Sequence, residues 1–388
     1  MKRIDGNRAE TVRVSSLRVT ADPSFRIVGT VLAGFVLFVS GCGANTQTGP
    51  RVSESESSAP ASEPQPEHPS AAPVHEPDRT PSSKRLPATT ADVEGDVAVV
   101  MTDIPMVFGF QVTPRDFYVA TRENRLLRVR RSSGERTMSL DNVSASRLVA
   151  DDKALYYSNR DGLFRIEHDS ATSTPIVKVE DIEGLDGVVE FALDDAFLYF
   201  TPFQEPGIFC VPKRGGAPEK LSSQKRAGSI ALSETHVYFA SFFRNRIGRL
   251  PKAGGPIEPL IPRAKGPVAL AVDEPIVVAL METSGDIVTM DATTRKRRRL
   301  ADAGRNPLQL LFSDGDIYWS TGKFSPSDRA TIRRVAATGG PTETLVSDEE
   351  SLSLLHIEAG KLYFSPEREA SILTLDVSRN PDASRPDK

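Results

Sequence analysis

Histidine is scarce in this chain, five residues in 388, and cysteine and tryptophan are scarcer still at two and one. Each shortage removes a class of function. Two cysteines, Cys42 and Cys210, cannot build the disulfide framework of a small secreted domain. Cys210 lies in the apolar phrase GIFCVP and reads as a structural thiol in a strand. His68 and His75 fall in a stretch with almost nothing to bury, and His168, His236 and His356 share no register that would gather them. A Gly-x-Ser-x-Gly elbow, a His-Glu-x-x-His pair and a phosphate-cradling glycine loop are all absent, so the commonest local signatures of catalysis are missing. Basic residues are not in excess either: 48 Lys and Arg stand against 52 Asp and Glu, and nucleic acid is not an expected partner.

Proline is abundant, 29 residues, and many of them crowd into residues 50–87. That segment has no aromatic residue and almost no aliphatic one, so burial cannot offset the entropy of ordering it. An extended, partly polyproline linker is expected over 42–90. Upstream, basic residues from Lys2 to Arg26 precede the apolar run IVGTVLAGFVLFV at 27–39, which is short for a bilayer span of about 20 residues but suits a signal-peptide core. The run ends in Val39-Ser40-Gly41-Cys42, which resembles the lipobox of bacterial lipoproteins. The resemblance implies removal of a leader at 1–41, a lipid on Cys42 and a membrane-anchored life in the cell envelope. Gly43, standing where an Asp would signal retention in the inner membrane, points to the outer membrane, on its periplasmic or surface face.

Beyond the linker one phrase recurs: VTPRDFYVA, ADDKALYYS, LDDAFLYFT, LSETHVYFA, VDEPIVVAL, FSDGDIYWS and IEAGKLYFS. Its tyrosines are Tyr118, Tyr156, Tyr199, Tyr238, Tyr318 and Tyr363, with Val278 in place of one, at spacings of 38, 43, 39, 40, 40 and 45; with Tyr157, all seven tyrosines of the chain lie inside the phrase. A period near 40 means stacked supersecondary units. The runs are short, β-branched or aromatic and punctuated by turns, which predicts strands, for example at 229–232, 236–241, 246–251 and 257–261. The pairs Gly215-Gly216, Gly254-Gly255 and Gly339-Gly340 mark tight hairpins between third and fourth strands. Four antiparallel strands per unit, repeated radially, form a β-propeller, here over 91–377 with a polar tail at 378–388. The last unit has three strands, and a lone strand-like run, DVAVVMTDI at 96–104, precedes the first. An N-terminal strand completing the last blade closes the ring with seven blades; six is the alternative. The tyrosines are expected to fill the wedges between blades.

DIYWST and its relatives resemble the Tyr-Trp-Thr-Asp propellers of low-density-lipoprotein-receptor type and the TolB-like propellers of bacterial envelopes. The fourth position departs from that pattern, with Asn159, Pro202, Ser241, Thr321 and Pro366 where the family has Asp, so the likeness implies fold far more than ligand. Loops between second and third strands share a face with the connections between blades. They carry Arg122, Arg125, Arg160, Phe203, Phe242, Phe243, Arg244, Lys323, Phe324 and Arg368, residue types that anchor interfaces. The basic run 295–299 is expected at a solvated hairpin tip on the opposite face. Asp151, Asp194, Asp273 and Glu358 are expected to satisfy turns. The expected role is a non-enzymatic binding or scaffold module with a protein or glycan ligand, no cofactor and no catalytic residue. The competing reading is a hydrolase or lyase of lactonase type, with acidic residues holding a divalent metal in the channel.

Overall fold

The computed structural model describes residues 97–378, apart from 186, 204–206, 225–226, 324, 326, 349–351 and 367–369, together with short strands at 31–32, 35–36 and 92–93. Cys42, the linker, nearly all of the leader, the tail beyond Ser378, and Phe324 and Arg368 lie outside the described residues.

Seven four-stranded antiparallel blades form a ring, over 107–140, 147–178, 188–222, 229–261, 267–302, 307–348 and 352–376. Blade 4 shows the plan, with strands Ser229–Leu232, His236–Ser241, Arg246–Pro251 and Glu258–Ile261 in that spatial order. First strands of consecutive blades lie side by side, and that of blade 7 returns to that of blade 1. Closure comes from Ala98–Met101, which pairs antiparallel with the third strand of blade 7, Met101 opposite Ile372 and Ala98 opposite Thr374. The blade that ends the chain therefore takes its outer strand from the start of the wheel. In the hairpin of blade 4, Gly254 and Gly255 adopt φ of 80° and 130°, a turn that a side chain would strain.

Between each two blades sits one apolar wedge, and the recurring tyrosine is its larger half. Tyr118 packs with Tyr157 of blade 2, Tyr156 with Phe200 of blade 3 and Tyr199 with Phe239 of blade 4. Tyr238 meets Ala279, Tyr318 meets Phe364, and Tyr363 meets Val119 across the closing interface. Where Val278 replaces tyrosine, the facing residue is Trp319, fully buried, with its indole N–H donating to the Ala303 carbonyl at 3.0 Å. The single tryptophan thus restores the volume that the missing tyrosine would have filled, as a close-packed interior demands. The run at 295–299 departs from its expected position: only Arg295 and Lys296 belong to the turn, whereas Arg297–Asp302 is the fourth strand of blade 5. Its side chains are exposed.

Candidate functional site: the two faces and the mouth

The loop face is built on one register. Four residues past the tyrosine position the second strand ends, and there lie Arg122, Arg160, Phe203, Phe242 and, in blades 5 and 6, Glu282 and Gly322. The backbone N–H at this position donates to a carbonyl just ahead of the first strand: Arg122 to Met106 at 2.9 Å, Phe203 to Gly187 at 3.2 Å, Glu282 to Gly266 at 2.8 Å and Gly322 to Asn306 at 2.9 Å. These bonds pin the loop bases, so side chains beyond them stand on a fixed rim.

On that rim Arg122, Arg160 and Arg244 are exposed, and Phe203 and Phe243 are among the few large apolar side chains left at the surface, at 39% and 55% exposure. Arg125 is turned onto Glu123 at 3.2 Å and Asp141 at 3.6 Å. Phe242 is folded inward against blade 5, and Phe243 meets it edge-on at 5.4 Å. Gly266 leaves the space: a side chain there would strike Thr283 and the Phe242 ring. Lys323 is half-buried, its carbonyl held by the Asn306 amide at 3.2 Å. The structure brings Phe242 and Phe243 into contact, and Arg160 and Phe203 flank Gly187; the rest are spread around the rim.

The turn face is a set of clasps, and only half of them was foreseen. Asp151, Asp194, Asp273 and Glu358 each lie five residues before the tyrosine position. Asp151 accepts the turn N–H groups of Lys153 and Ala154, both at 2.8 Å, and Asp194 does the same for Ala196 and Phe197. The unforeseen half is a cation one residue past the third strand of the next blade. Lys213 reaches Asp151 at 2.8 Å, Lys252 reaches Asp194 at 2.8 Å, and Arg131 reaches Glu358 at 2.9 Å. Burial pulls the Asp151 and Asp194 carboxyls upward, but the lysine and backbone hydrogen bonds outweigh it and hold both below the usual range. Asp273 stays exposed because Ala337 occupies the matching position in blade 6. There, and between blades 6 and 7, an arginine of the preceding blade donates to a backbone carbonyl instead: Arg298 to Ala337 at 2.5 Å and Arg334 to Val377 at 3.1 Å. A groove of about 790 Å³ between blades 2 and 3 is lined by these paired groups.

The three described histidines of the wheel lie in different blades and have different partners. His168 faces the Tyr118 hydroxyl at 2.7 Å and the Asp151 carbonyl at 2.8 Å, and His236 meets the Thr235 hydroxyl at 2.8 Å. Burial pushes the His356 imidazole down to about 4, so it is neutral at physiological pH. Cys210 is buried and its thiol is pushed up by that burial, as a structural thiol should be. At the mouth on the loop side, Glu190 on the first strand of blade 3 is buried 2.9 Å from Arg147 of blade 2. Burial outweighs the half-exposed guanidinium and pushes Glu190 up to about 6. Nothing in the local sequence marked this pair, since the blade register alone brings the two strands together. Among the described residues, no group of three or more His, Cys, Asp or Glu is placed to hold a metal ion.

No family model and no curated protein matches the sequence. Solved structures do match in shape. A streptogramin B lyase superposes with a TM-score of 0.57 at 14% identity, over 73% of this chain and 97% of the lyase. A catalytically inactive His-to-Ala variant of virginiamycin B lyase from Staphylococcus aureus, with quinupristin, superposes at 0.57 and 16% identity, covering 74% and 99%. The extracellular domain of a one-component system from B. thetaiotaomicron reaches 0.57 at 12% identity, over 72% of this chain and 42% of that one. At such identities the likeness is one of fold: the chain is similar to seven-bladed propellers.

Proposed function

We propose that this protein is a non-enzymatic binding module of a bacterial cell envelope, anchored by lipid on Cys42 and held off the membrane by its proline-rich linker. It presents the loop face of a rigid wheel to a protein or glycan partner. The carrying observation is the contrast in how side chains are used: Phe203 stands exposed near Arg160 and Phe243 next to Arg244, whereas Asp151, Asp194 and Glu358 of the turn face are consumed in clasps. Exposed aromatic and arginine side chains on pinned loops are the anchors that interfaces use. Among the described residues the histidines are bonded separately, His168 to Tyr118 and the Asp151 carbonyl and His236 to Thr235, and form no histidine pair for acid–base work.

The test uses the full chain in envelope membranes of its own producing cells, with photo-crosslinking groups placed at 203 and 243. Adducts at these positions that vanish in an Arg160→Ser, Arg244→Ser variant, and survive in Lys213→Met on the turn face, support the reading. Equal adducts from both faces would sink it. Turnover of quinupristin by the purified protein would move it to the lyase class. Cys42→Ser is expected to release the protein from the membrane fraction.

A further inference from the structure

One cavity on the loop face is unbalanced in charge. It measures about 290 Å³ and lies where the connection between blades 5 and 6, at Gly304 and Arg305, meets the loop of blade 6 at Ser327, Asp328 and Arg329. Arg333, on the third strand of blade 6, closes it from within. Among the described lining residues, Arg305, Arg329 and Arg333 stand with one carboxylate, Asp328, which already accepts the Ser325 N–H at 2.9 Å. Arg329 is held in place by two bonds to Ser347, at 2.9 and 3.0 Å.

Arg333 is the anomaly. Its side chain is half-buried, its Nε is shut off from solvent with no hydrogen-bond partner, and among the described residues no carboxylate pairs with it. Its Nη1 edge faces Gly304, where a Cβ would lie 3.5 Å away. The register makes the oddity sharper. Arg333 stands opposite Trp319; the same position in the other six blades holds Leu127, Phe164, Phe209, Gly248, Val288 and Leu373. Six blades fill the position with an apolar residue or glycine, and one fills it with a charge that no carboxylate among the described residues pairs. A partly desolvated, unpaired charge is costly, and an anion entering the cavity would remove that cost.

We propose that this cavity binds a small tetrahedral oxyanion, a phosphate or sulfate group, with Arg333 as the fixed inner donor and Arg305 and Arg329 closing over it. Guanidinium forks donate in pairs to oxyanions, and three of them from separate elements offer more donors than a planar carboxylate can accept. The site deepens the reading of the loop face as the binding face, yet it rests on its own geometry and shares no residue with the Phe243 region.

The experiment titrates inorganic phosphate and sulfate into the full chain in detergent, at constant ionic strength with chloride as control, and follows heat and thermal unfolding. Saturable one-to-one binding of phosphate or sulfate, with a rise in Tm that chloride does not give, is expected; the arm that binds more tightly names the group. Arg333→Leu, which installs the residue type of blade 7, is expected to raise the anion-free Tm and abolish the response. Arg305→Gln, at an exposed position that cannot threaten folding, is expected to weaken binding at least tenfold. Identical responses to all three anions, undiminished binding in either variant, or a fall in anion-free Tm for Arg333→Leu would each overturn the proposal. None of these outcomes bears on crosslinking at 203 and 243, so failure here and failure of the binding-module reading are separable.

Discussion

The two faces of the wheel carry similar residue types and use them in opposite ways. On the turn face a charge meets its opposite across a blade boundary, as Lys213 meets Asp151 and Lys252 meets Asp194, with side chains only 11–26% exposed. Such partly buried pairs gain more from each other than surface pairs do, and losing one partner leaves the other stranded. On the loop face backbone bonds at the loop bases do most of that work, with local help from side chains such as Asn306, whose amide holds the Lys323 carbonyl. Arg160 and Arg244 stand exposed there, with no ion pair among the described residues. The lesson is that charge alone does not mark a binding face; charge that the fold has not already spent does.

Four measurements can break or sharpen that contrast. Both faces rest on the same apolar wedges, so the largest effect belongs to Trp319→Ala: about 3–5 kcal/mol of stability lost in urea unfolding, because the facing Val278 cannot fill the hole. An unchanged midpoint would mean that the wedge between blades 5 and 6 carries no load. Next come the clasps. Lys213→Met should cost about 2–3 kcal/mol by stranding Asp151, and adding Asp151→Asn should recover most of it. If Lys213→Met is neutral, the turn face is as idle as the other and the contrast fails.

The mouth comes third. Glu190 is raised from 4.5 to about 6 in the folded protein, so the folded state holds a proton that the unfolded chain has released between those values. Its favourable share is present below pH 4.5 and is lost as pH rises through 6, about 2 kcal/mol in all. Glu190→Gln should abolish that loss and make the protein more stable than the parent above pH 6. A pH profile that overlays the parent's would refute the buried-carboxyl account. The smallest stability effects belong to the rim: Arg160→Ser, Phe243→Ser and Arg244→Ser should each change unfolding free energy by less than about 0.5 kcal/mol while removing crosslinked partner. A large stability loss at any of them would show that the loop face serves the fold as well.

The architecture was legible because its signal is periodic. Tyrosines near every 40 residues, glycine pairs before the fourth strands and an orphan strand ahead of the first unit together specify blade, count and closure, and the strands of blade 4 fall within one residue of expectation. The clasps were half legible. Asp151 and Asp194 stood out as turn residues, but their lysines are 62 and 58 positions away. A signal was present, since Lys213 in VPKRGG and Lys252 in LPKAGG hold the same place after the third strand; only the blade order reveals which acid each meets. Phe242 and Phe243 were both candidates for the binding face, and the sequence did not show which ring folds inward; Phe242 does, against blade 5, where Gly266 makes room. Arg333 gave no hint at all: an arginine in a strand is unremarkable until the six other blades show what belongs there.

The closing strand has a temporal side. Ala98–Met101 precedes every strand of the blade it completes, and its partner Ile372–Asp376 is the last strand of the wheel. Until that last strand emerges, Ala98–Met101 has no edge to join and the growing arc of blades has no end stop. Intermediate chains must therefore keep an open β-edge from pairing with a neighbour's. Completion is a single late event that joins the ends of nearly the whole wheel, a slow kind of contact to make. A chain without Ile372–Asp376 would be left with six blades, a lone hairpin and no circle.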